Sequence, residues 1–242
     1  MDVVEQGQLT CAEAMEHWYY RAQFRHLAGV IRSLPIPLRT MQVADFGCGI
    51  GLYLMMLEKS GILRADQLRG IDSAFSVKTP VADGNTFIYP AFPDDRLFDV
   101  ILMMHVLEHI EDDASALKSV SIRCRKGGFL FISVPAFQSL WSSHDVFLGH
   151  RRRYNKETLQ ALICKVPFLK LKTIYYYGAS ILPMVFLIRL MKKKDDRPAA
   201  SDLRPAHPIM NRLLLSIFSM ENRWARFNRL GGLAVHAVCQ IE

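Results

Sequence analysis

The sequence predicts an α/β protein built on a doubly wound, mostly parallel sheet, and three observations predict it. Apolar runs bounded by turn residues recur at Val43–Phe46, Leu68–Ile71, Leu97–Met104 and Phe129–Val134. Helix-forming segments separate them. The first run leads into Gly47-Cys48-Gly49-Ile50-Gly51, a glycine turn that feeds a helix over Leu52–Leu57. Such alternation places helices on both faces of a sheet, and a glycine turn at the carboxyl end of a first strand marks its ligand crevice.

The 242 residues, half of them apolar, suffice for a large core and exclude a disordered chain. Thirty Lys and Arg against 23 Asp and Glu give a formal charge of +7, which favours anionic partners without choosing among them. Cys11, Cys48, Cys124, Cys164 and Cys239 have no Cys-x-x-Cys or short Cys/His spacing, which suggests neither zinc nor a disulfide framework. Reduced thiols in a cytoplasm are the simplest expectation. Asp2 and Glu5, with no early apolar run, argue against a signal peptide.

In chain order, Glu13–Leu34 carries apolar residues at three- and four-residue steps and predicts one helix, ended by Pro35 and Pro37. With it, residues 1–40 form an N-terminal helical cap that packs on the sheet edge or closes the crevice. The glycine turn comes next. A dinucleotide fingerprint needs Gly-x-Gly-x-x-Gly, but Leu52 stands where its third glycine belongs. The run Asp45-x-Gly47-x-Gly49-x-Gly51 instead resembles motif I of the class I S-adenosylmethionine (SAM) methyltransferases. The resemblance implies a Rossmann-like, seven-stranded, mostly parallel sheet. It also implies a turn of Gly47, Cys48, Gly49 and Gly51 under the cofactor's methionine and ribose, with Asp45 fixing the loop and the amino group.

Leu68–Ile71 predicts a second strand ending at Asp72, 21 residues beyond Gly51, where a carboxylate can accept from both ribose hydroxyls. Asp83 and Phe92 are candidates for the adenine side, although Thr86–Tyr89 is the more strand-like segment there. Leu97–Met104 predicts a strand buried on both faces. His105-Val106-Leu107-Glu108-His109 after it resembles the fourth-strand motif of the same family, which implies that His105 and Glu108 lie beside the sulfonium, with His109 as a structural residue. Lys126-Gly127-Gly128 predicts a helix stop and turn before the fifth strand.

Trp141 to Tyr154 is neither periodic nor apolar, and polar density on a loop after a strand marks a site. His144, Asp145 and His105 are the candidate catalytic groups. His150, Arg152, Arg153, Tyr154 and Trp141 are the candidate acceptor contacts, the arginines suiting a phosphate or carboxylate. Phe168–Tyr177 predicts a sixth strand, so residues 41–177 form the cofactor-binding core. Residues 231–242 supply the last strand. Between them, 178–230 is an insertion with an apolar block at Ala179–Met191, Lys192-Lys193-Lys194, and an amphipathic helix over about Ile209–Asn228.

The sequence therefore predicts a SAM-dependent methyltransferase acting on an oxygen or nitrogen of a small-molecule or lipid-linked acceptor, anionic in one version, without a metal. Peripheral membrane contact through 179–194 would place it at the inner face of a membrane. The alternatives are a nicotinamide-dependent oxidoreductase and a non-catalytic SAM-binding protein. A nucleic-acid partner is not expected, and the chain is a monomer or homodimer.

Overall fold

The computed structural model describes residues 9–81, 85–192 and 207–242. Its strands are β1 (Val43–Phe46), β2 (Leu68–Ile71), β3 (Thr79–Pro80), β4 (Phe87–Tyr89), β5 (Phe98–Met104), β6 (Cys124–Pro135), β7 (Leu169–Tyr177) and β8 (Ala234–Ile241). They form one sheet in the order β3-β4-β2-β1-β5-β6-β8-β7. Strands β4, β2, β1, β5 and β6 run parallel; β8 is antiparallel to both β6 and β7. The count is eight rather than seven because two-residue β3 adds an antiparallel edge to β4, with Pro80 where no further ladder donor is needed.

The helices are α1 (Cys11–Glu16), α2 (Trp18–Ser33), α3 (Leu52–Lys59), α4 (Asp113–Ser121), α5 (Ser143–Phe147), α6 (Lys156–Ile163), α7 (Leu182–Lys192) and α8 (Pro208–Glu221). Successive residues of a strand face opposite sides, and β5 divides accordingly. Val100 and Leu102 join α2 and α3 in one core layer, while Ile101 and Met103 join α4 and α6 in the other. Helix α3 is buried from Leu52 through Leu57, so its position under the glycine turn is held by packing on every side.

The single helix expected over Glu13–Leu34 is two. His17 leaves the helical region at φ −69°, ψ 132°, and its Nδ1 accepts from the Tyr19 N–H, opening α2 afresh. Asn211 of α8 completes the junction: its Oδ1 accepts from the Trp18 N–H at 2.7 Å and its Nδ2 donates to Glu16 O at 2.9 Å. The insertion thus packs on the N-terminal helices, and a third apolar cluster joins Ala22, Tyr175, Tyr177, Ile181, Leu215 and Phe218. The Glu221 carboxylate accepts from the Gly178, Ala179 and Ser180 N–H groups, fixing the turn into α7.

Two further boundaries differ from expectation. Gly127-Gly128 is no turn before a strand but an irregularity inside β6, where register slips between Phe98/Cys124 and Val100/Phe129. Gly128 is required there, since a Cβ would come within 2.7 Å of both Asp99 O and Cys124 Sγ. Helix α8 ends at Glu221, short of Asn228, and a single 3-10 turn follows at Ala225–Phe227. Lys193, Lys194 and Asp83 lie outside the described residues. Among those described, no helix is long and apolar enough to cross a membrane.

Candidate active site

The sheet order reverses between β1 and β5, and the crevice opens at that carboxyl edge, as open α/β sheets dictate. The glycine turn lies there with Gly47, Gly49 and Gly51 at φ 70°, 53° and 76°. The Gly47 N–H donates to Ile71 O at 2.7 Å, and a Cβ on Gly47 would stand 2.5 Å from Val106 Cγ2. Gly51 caps α3 from the left-handed region. The turn's backbone, its glycine N–H groups held by Ile71 O, Asp72 Oδ2 and Cys48 O, and the N-terminus of α3 thus border a space that side chains cannot enter.

Asp72, at the end of β2, accepts from the Gly49 N–H at 2.7 Å through Oδ2 and from the Ala74 N–H at 2.9 Å through Oδ1. Each oxygen keeps a lone pair for a ligand hydroxyl. Asp45 is 1% exposed, its Oδ1 has no hydrogen-bond partner among the described residues, and burial raises its pKa to about 7. Cys48 packs beneath the turn rather than on the crevice: a Cβ on Gly70 would meet its Sγ at 2.7 Å, and burial holds its thiol well above the usual range. Phe46 and Phe92 stack on each other at 5.7 Å with an interplanar angle of 3°, and with Ile71 and Pro90 give the crevice an apolar wall.

His105 follows β5 at φ 58°, a left-handed conformation that a non-glycine residue holds only where its surroundings impose it. The imposing contact is the His105 N–H donating to Ser133 O at 2.8 Å. Its Nε2 lies 3.3 Å from Ser133 Oγ, and its Nδ1 lies 3.3 Å from Glu108 Oε1. Glu108 is fully buried, and among the described residues neither of its oxygens makes a hydrogen bond of good geometry.

The polar loop divides. His144, Leu148, His150 and Arg153 line the crevice, whereas Trp141, Arg152 and Tyr154 do not. Asp145 is wholly buried and accepts from the Ser142 N–H, His150 Nδ1 (2.8 Å), Arg153 Nε (2.7 Å) and Arg153 Nη2 (3.0 Å). Burial pushes its pKa up, but those donors overcome it and hold the carboxyl well below the usual range. Arg152 is engaged with Asp113 and Glu111 O, and the Tyr154 hydroxyl donates to Asp113 at 2.8 Å. The loop expected from sequence to contact the acceptor is thus divided: Asp145, Arg152 and Tyr154 brace it, His144 and Leu148 face the cavity, and His150 and Arg153 do both. His109, taken from sequence as structural, lines the crevice, and its ring lies 4.8 Å from that of His150. Glu108, His109 and His150 each bring a ligand atom within 4.8 Å of the others, a set able to hold a cation. No spacing signal could have found it, because His150 arrives from beyond a strand and a loop.

Gly47, Gly49, Asp72, His105, His109 and His150 line one cavity of about 1120 Å³, whose apolar arm is walled by Trp18, Ile181, Val185, Phe218 and Leu233.

Residues 13–168 match the model of a methyltransferase domain. The chain is similar to the ubiquinone biosynthesis O-methyltransferase of Bordetella pertussis, with 29% identity over 141 residues, covering 50% of this chain and 57% of the relative. The corresponding enzyme of Colwellia psychrerythraea is 28% identical over 104 residues, 38% of this chain and 41% of the relative. The chain thus spans about half the length of the curated relatives it matches. In fold it is similar to a putative sarcosine dimethylglycine methyltransferase from Galdieria sulphuraria (TM-score 0.57, 12% identity, 91% of this chain and 86% of that one). It is likewise similar to the plantazolicin methyltransferase BpumL solved with S-adenosylhomocysteine (0.52, 14%, 98% and 88%). A domain match over most of the chain, covering the glycine turn, Asp72 and the segment after β5, means that the chain belongs to the methyltransferase domain family, and its fold is similar to that of SAM-dependent methyltransferases of known structure.

Proposed function

We propose that the chain methylates an oxygen of a small, neutral acceptor whose body is apolar. The observation that carries this reading is the continuity of the cavity from the glycine turn into the apolar arm. Its volume, about 1120 Å³, exceeds the roughly 300–1,000 Å³ of a one-ligand site, which supports a cofactor and an acceptor side by side. Similarity to O-methyltransferases of ubiquinone biosynthesis supports oxygen as the acceptor atom. A neutral acceptor is supported by the arginines, since Arg152 and Arg153 are both committed to protein carboxylates. A nicotinamide oxidoreductase is left without support by the family assignment.

When bound, SAM supplies an electrophilic methyl group on a sulfonium. Asp72 would hold the ribose hydroxyls, Asp45 the amino group, and the apolar wall of Phe46, Phe92, Ile71 and Pro90 would lie against the adenine. The chain's main contribution is alignment, worth roughly 7–11 kcal/mol in well-oriented reactions. His105 takes the acceptor proton, with Glu108 holding its ring and stabilising the charge that forms. His144, on the facing loop, is the second candidate for that proton.

Transfer of labelled methyl from SAM to alkylated catechols, phenols, amines and carboxylates tests the reading. Label on the hydroxylated compounds is expected, and label confined to amines or carboxylates overturns it.

The surface of α8 supports a second feature of the acceptor's delivery. Ile209, Leu213 and Met220 on α8, and Trp224 and Phe227 in the segment after it, are exposed apolar residues, with exposed Arg212 and Arg223 among them. This pattern suits contact with an anionic membrane surface from which an apolar acceptor could enter the arm.

A further inference from the structure

Glu108 carries a carboxylate into the interior without the donors such a group needs. It is 0% exposed, and neither oxygen has a hydrogen-bond partner among the described residues; an imidazole nitrogen, His105 Nδ1, lies 3.3 Å from Oε1. Buried charges are paired or coordinate metals, because an isolated one is too costly to keep. The next residue, His109, and His150 from the loop after β6 each bring a ligand atom within 4.8 Å of the carboxylate and of one another.

The three side chains come from two segments that the backbone locks together. Glu108 and His109 lie on the 3-10 turn after β5, Leu107–His109. The Arg151 N–H donates to Glu108 O at 2.8 Å and Arg151 Nε donates to His109 O at 3.1 Å, so the residue after His150 fastens the loop to that turn. His150 is oriented from behind. Its Nδ1 lies 2.8 Å from Asp145 Oδ1, and that carboxylate, already paired with the Arg153 guanidinium, accepts. The ring therefore donates from Nδ1 and keeps its lone pair on Nε2. A carboxylate behind a histidine in this way fixes the tautomer and raises the basicity of a metal ligand. The His109 and His150 rings meet edge to face at 4.8 Å.

Closure to solvent does not close this place to an ion. A metal–oxygen bond of about 2.0–2.2 Å is shorter than a hydrogen bond, so an atom that no water touches can still ligate a cation lodged among the three. His109 and His150 line the cavity and give the way in. A shift on the order of 1 Å per donor would bring all three onto a common ion. Two imidazoles and one carboxylate suit a divalent transition ion such as zinc, whereas magnesium prefers oxygen donors. Three protein ligands leave a coordination position open for a water or a substrate.

We propose that Glu108, His109 and His150 form a site for a divalent transition cation, whose open position takes the acceptor oxygen beside His105. The acceptor's part in this rests on the methyltransferase reading, and the site departs from the metal-free one expected from sequence. Glu108 links the two functions, with one oxygen beside His105 and the other on the cation. The cation stabilises the oxyanion that forms. The acceptor O–H bond breaks and its proton passes to His105; the oxygen's electron pair then bonds the methyl carbon while the carbon–sulfur pair stays with S-adenosylhomocysteine.

Calorimetric titration of zinc and magnesium chlorides into chelator-treated protein, without cofactor, tests the site in wild type, Glu108→Gln, His109→Gln and His150→Gln. Wild type should take up one zinc per chain and bind magnesium at least a hundredfold less tightly. Each variant should lose at least tenfold in zinc affinity. His150→Gln also loses its bond to Asp145, so its melting temperature falls for that reason alone; Glu108→Gln and His109→Gln keep that bond and decide the matter. The site is overturned if wild type binds zinc no more tightly than magnesium. It is equally overturned if either deciding variant keeps the wild-type affinity and stoichiometry, which would place the zinc on other groups such as the exposed Cys164. Catechol titrated into protein saturated with S-adenosylhomocysteine tests the open position: zinc should tighten its binding at least tenfold in wild type and not in His109→Gln. An unchanged catechol affinity overturns the acceptor's place on the ion. Failure of wild type to bind S-adenosylhomocysteine defeats the methyltransferase reading, and the zinc titration stands apart from it.

Discussion

The Asp72 carboxylate accepts a hydrogen bond from the Gly49 N–H at 2.7 Å, tying the end of β2 to the middle of the glycine turn. A carboxylate seen from sequence as a ribose ligand is therefore also the strut that fixes the turn. Both roles need its charge, and a hydrogen bond to a charged group contributes about 1.5–3 kcal/mol. Asp72→Ala should weaken S-adenosylhomocysteine binding ten- to a hundredfold or more in calorimetry, and Asp72→Asn should fall between the two. Wild-type affinity in Asp72→Ala would remove it from the cofactor site.

Gly47 and Val106 make a prediction about packing. A methyl group on Gly47 would meet Val106 Cγ2 at 2.5 Å, and φ of +70° adds strain of about 1–2 kcal/mol for any L side chain. Gly47→Ala should lower the melting temperature and abolish cofactor binding. Trimming Val106 to Ala in the same chain should recover part of the stability but not the strain. If the double variant melts no higher than the single one, the contact is not the cause.

Asp45 gives the unliganded protein a pH dependence. Its folded pKa is raised by burial to about 7, so its contribution is fully present below the ordinary carboxyl value near 4 and is lost as pH rises through about 7. A cationic amino group beside it reverses the balance, so ligand binding releases a proton below about pH 7. The affinity for S-adenosylhomocysteine should rise between pH 5 and pH 7.5, with proton release seen by calorimetry in two buffers. Asp45→Asn should flatten both, and an unchanged profile in that variant would assign the effect to another group.

The parts legible in sequence were those set by local chemistry. Glycine at alternate positions forces the turn, and an apolar run ending in Asp72 fixes where a carboxylate meets the crevice. The unread parts depend on long-range contacts. The break at His17 is completed by Asn211, some 195 residues away in sequence. The polar loop looked uniform because composition does not record direction: Asp145 and Arg153 lie eight residues apart and consume each other's charge, while His144 next to Asp145 faces the cavity. Tyr177 and His236 were read only as strand residues, since the stacking of their rings at 4.7 Å shows itself only when β7 and β8 are placed side by side.

Asp145 separates bracing from catalysis. Its folded pKa is held below the usual range, so the stability it contributes is present above about pH 4 and is lost as the pH falls below that. Asp145→Asn leaves the Arg153 guanidinium buried without its countercharge, and breaking a buried pair costs about 3–5 kcal/mol. The expected outcome is a large loss in denaturant midpoint at pH 7 that shrinks toward pH 3. A stable variant with activity lost only in kcat would instead make Asp145 part of the proton path.

The proposed membrane contact rests on α8 and the turn after it. Trp224 is 72% exposed and Phe227 75% exposed, large aromatic surfaces that water solvates poorly. Basic residues near an anionic surface contribute about 1 kcal/mol each, and that share is screened by salt. Flotation with anionic vesicles at low salt should therefore carry the protein up, and neutral vesicles should carry less. Trp224→Ser with Phe227→Ser should abolish flotation without changing S-adenosylhomocysteine affinity, because neither side chain lines the cavity. Arg212→Gln with Arg223→Gln should weaken flotation on anionic vesicles alone. If the protein stays with the soluble fraction on anionic vesicles at low salt, the acceptor must reach the apolar arm from solution, and the exposed apolar residues of α8 serve another contact.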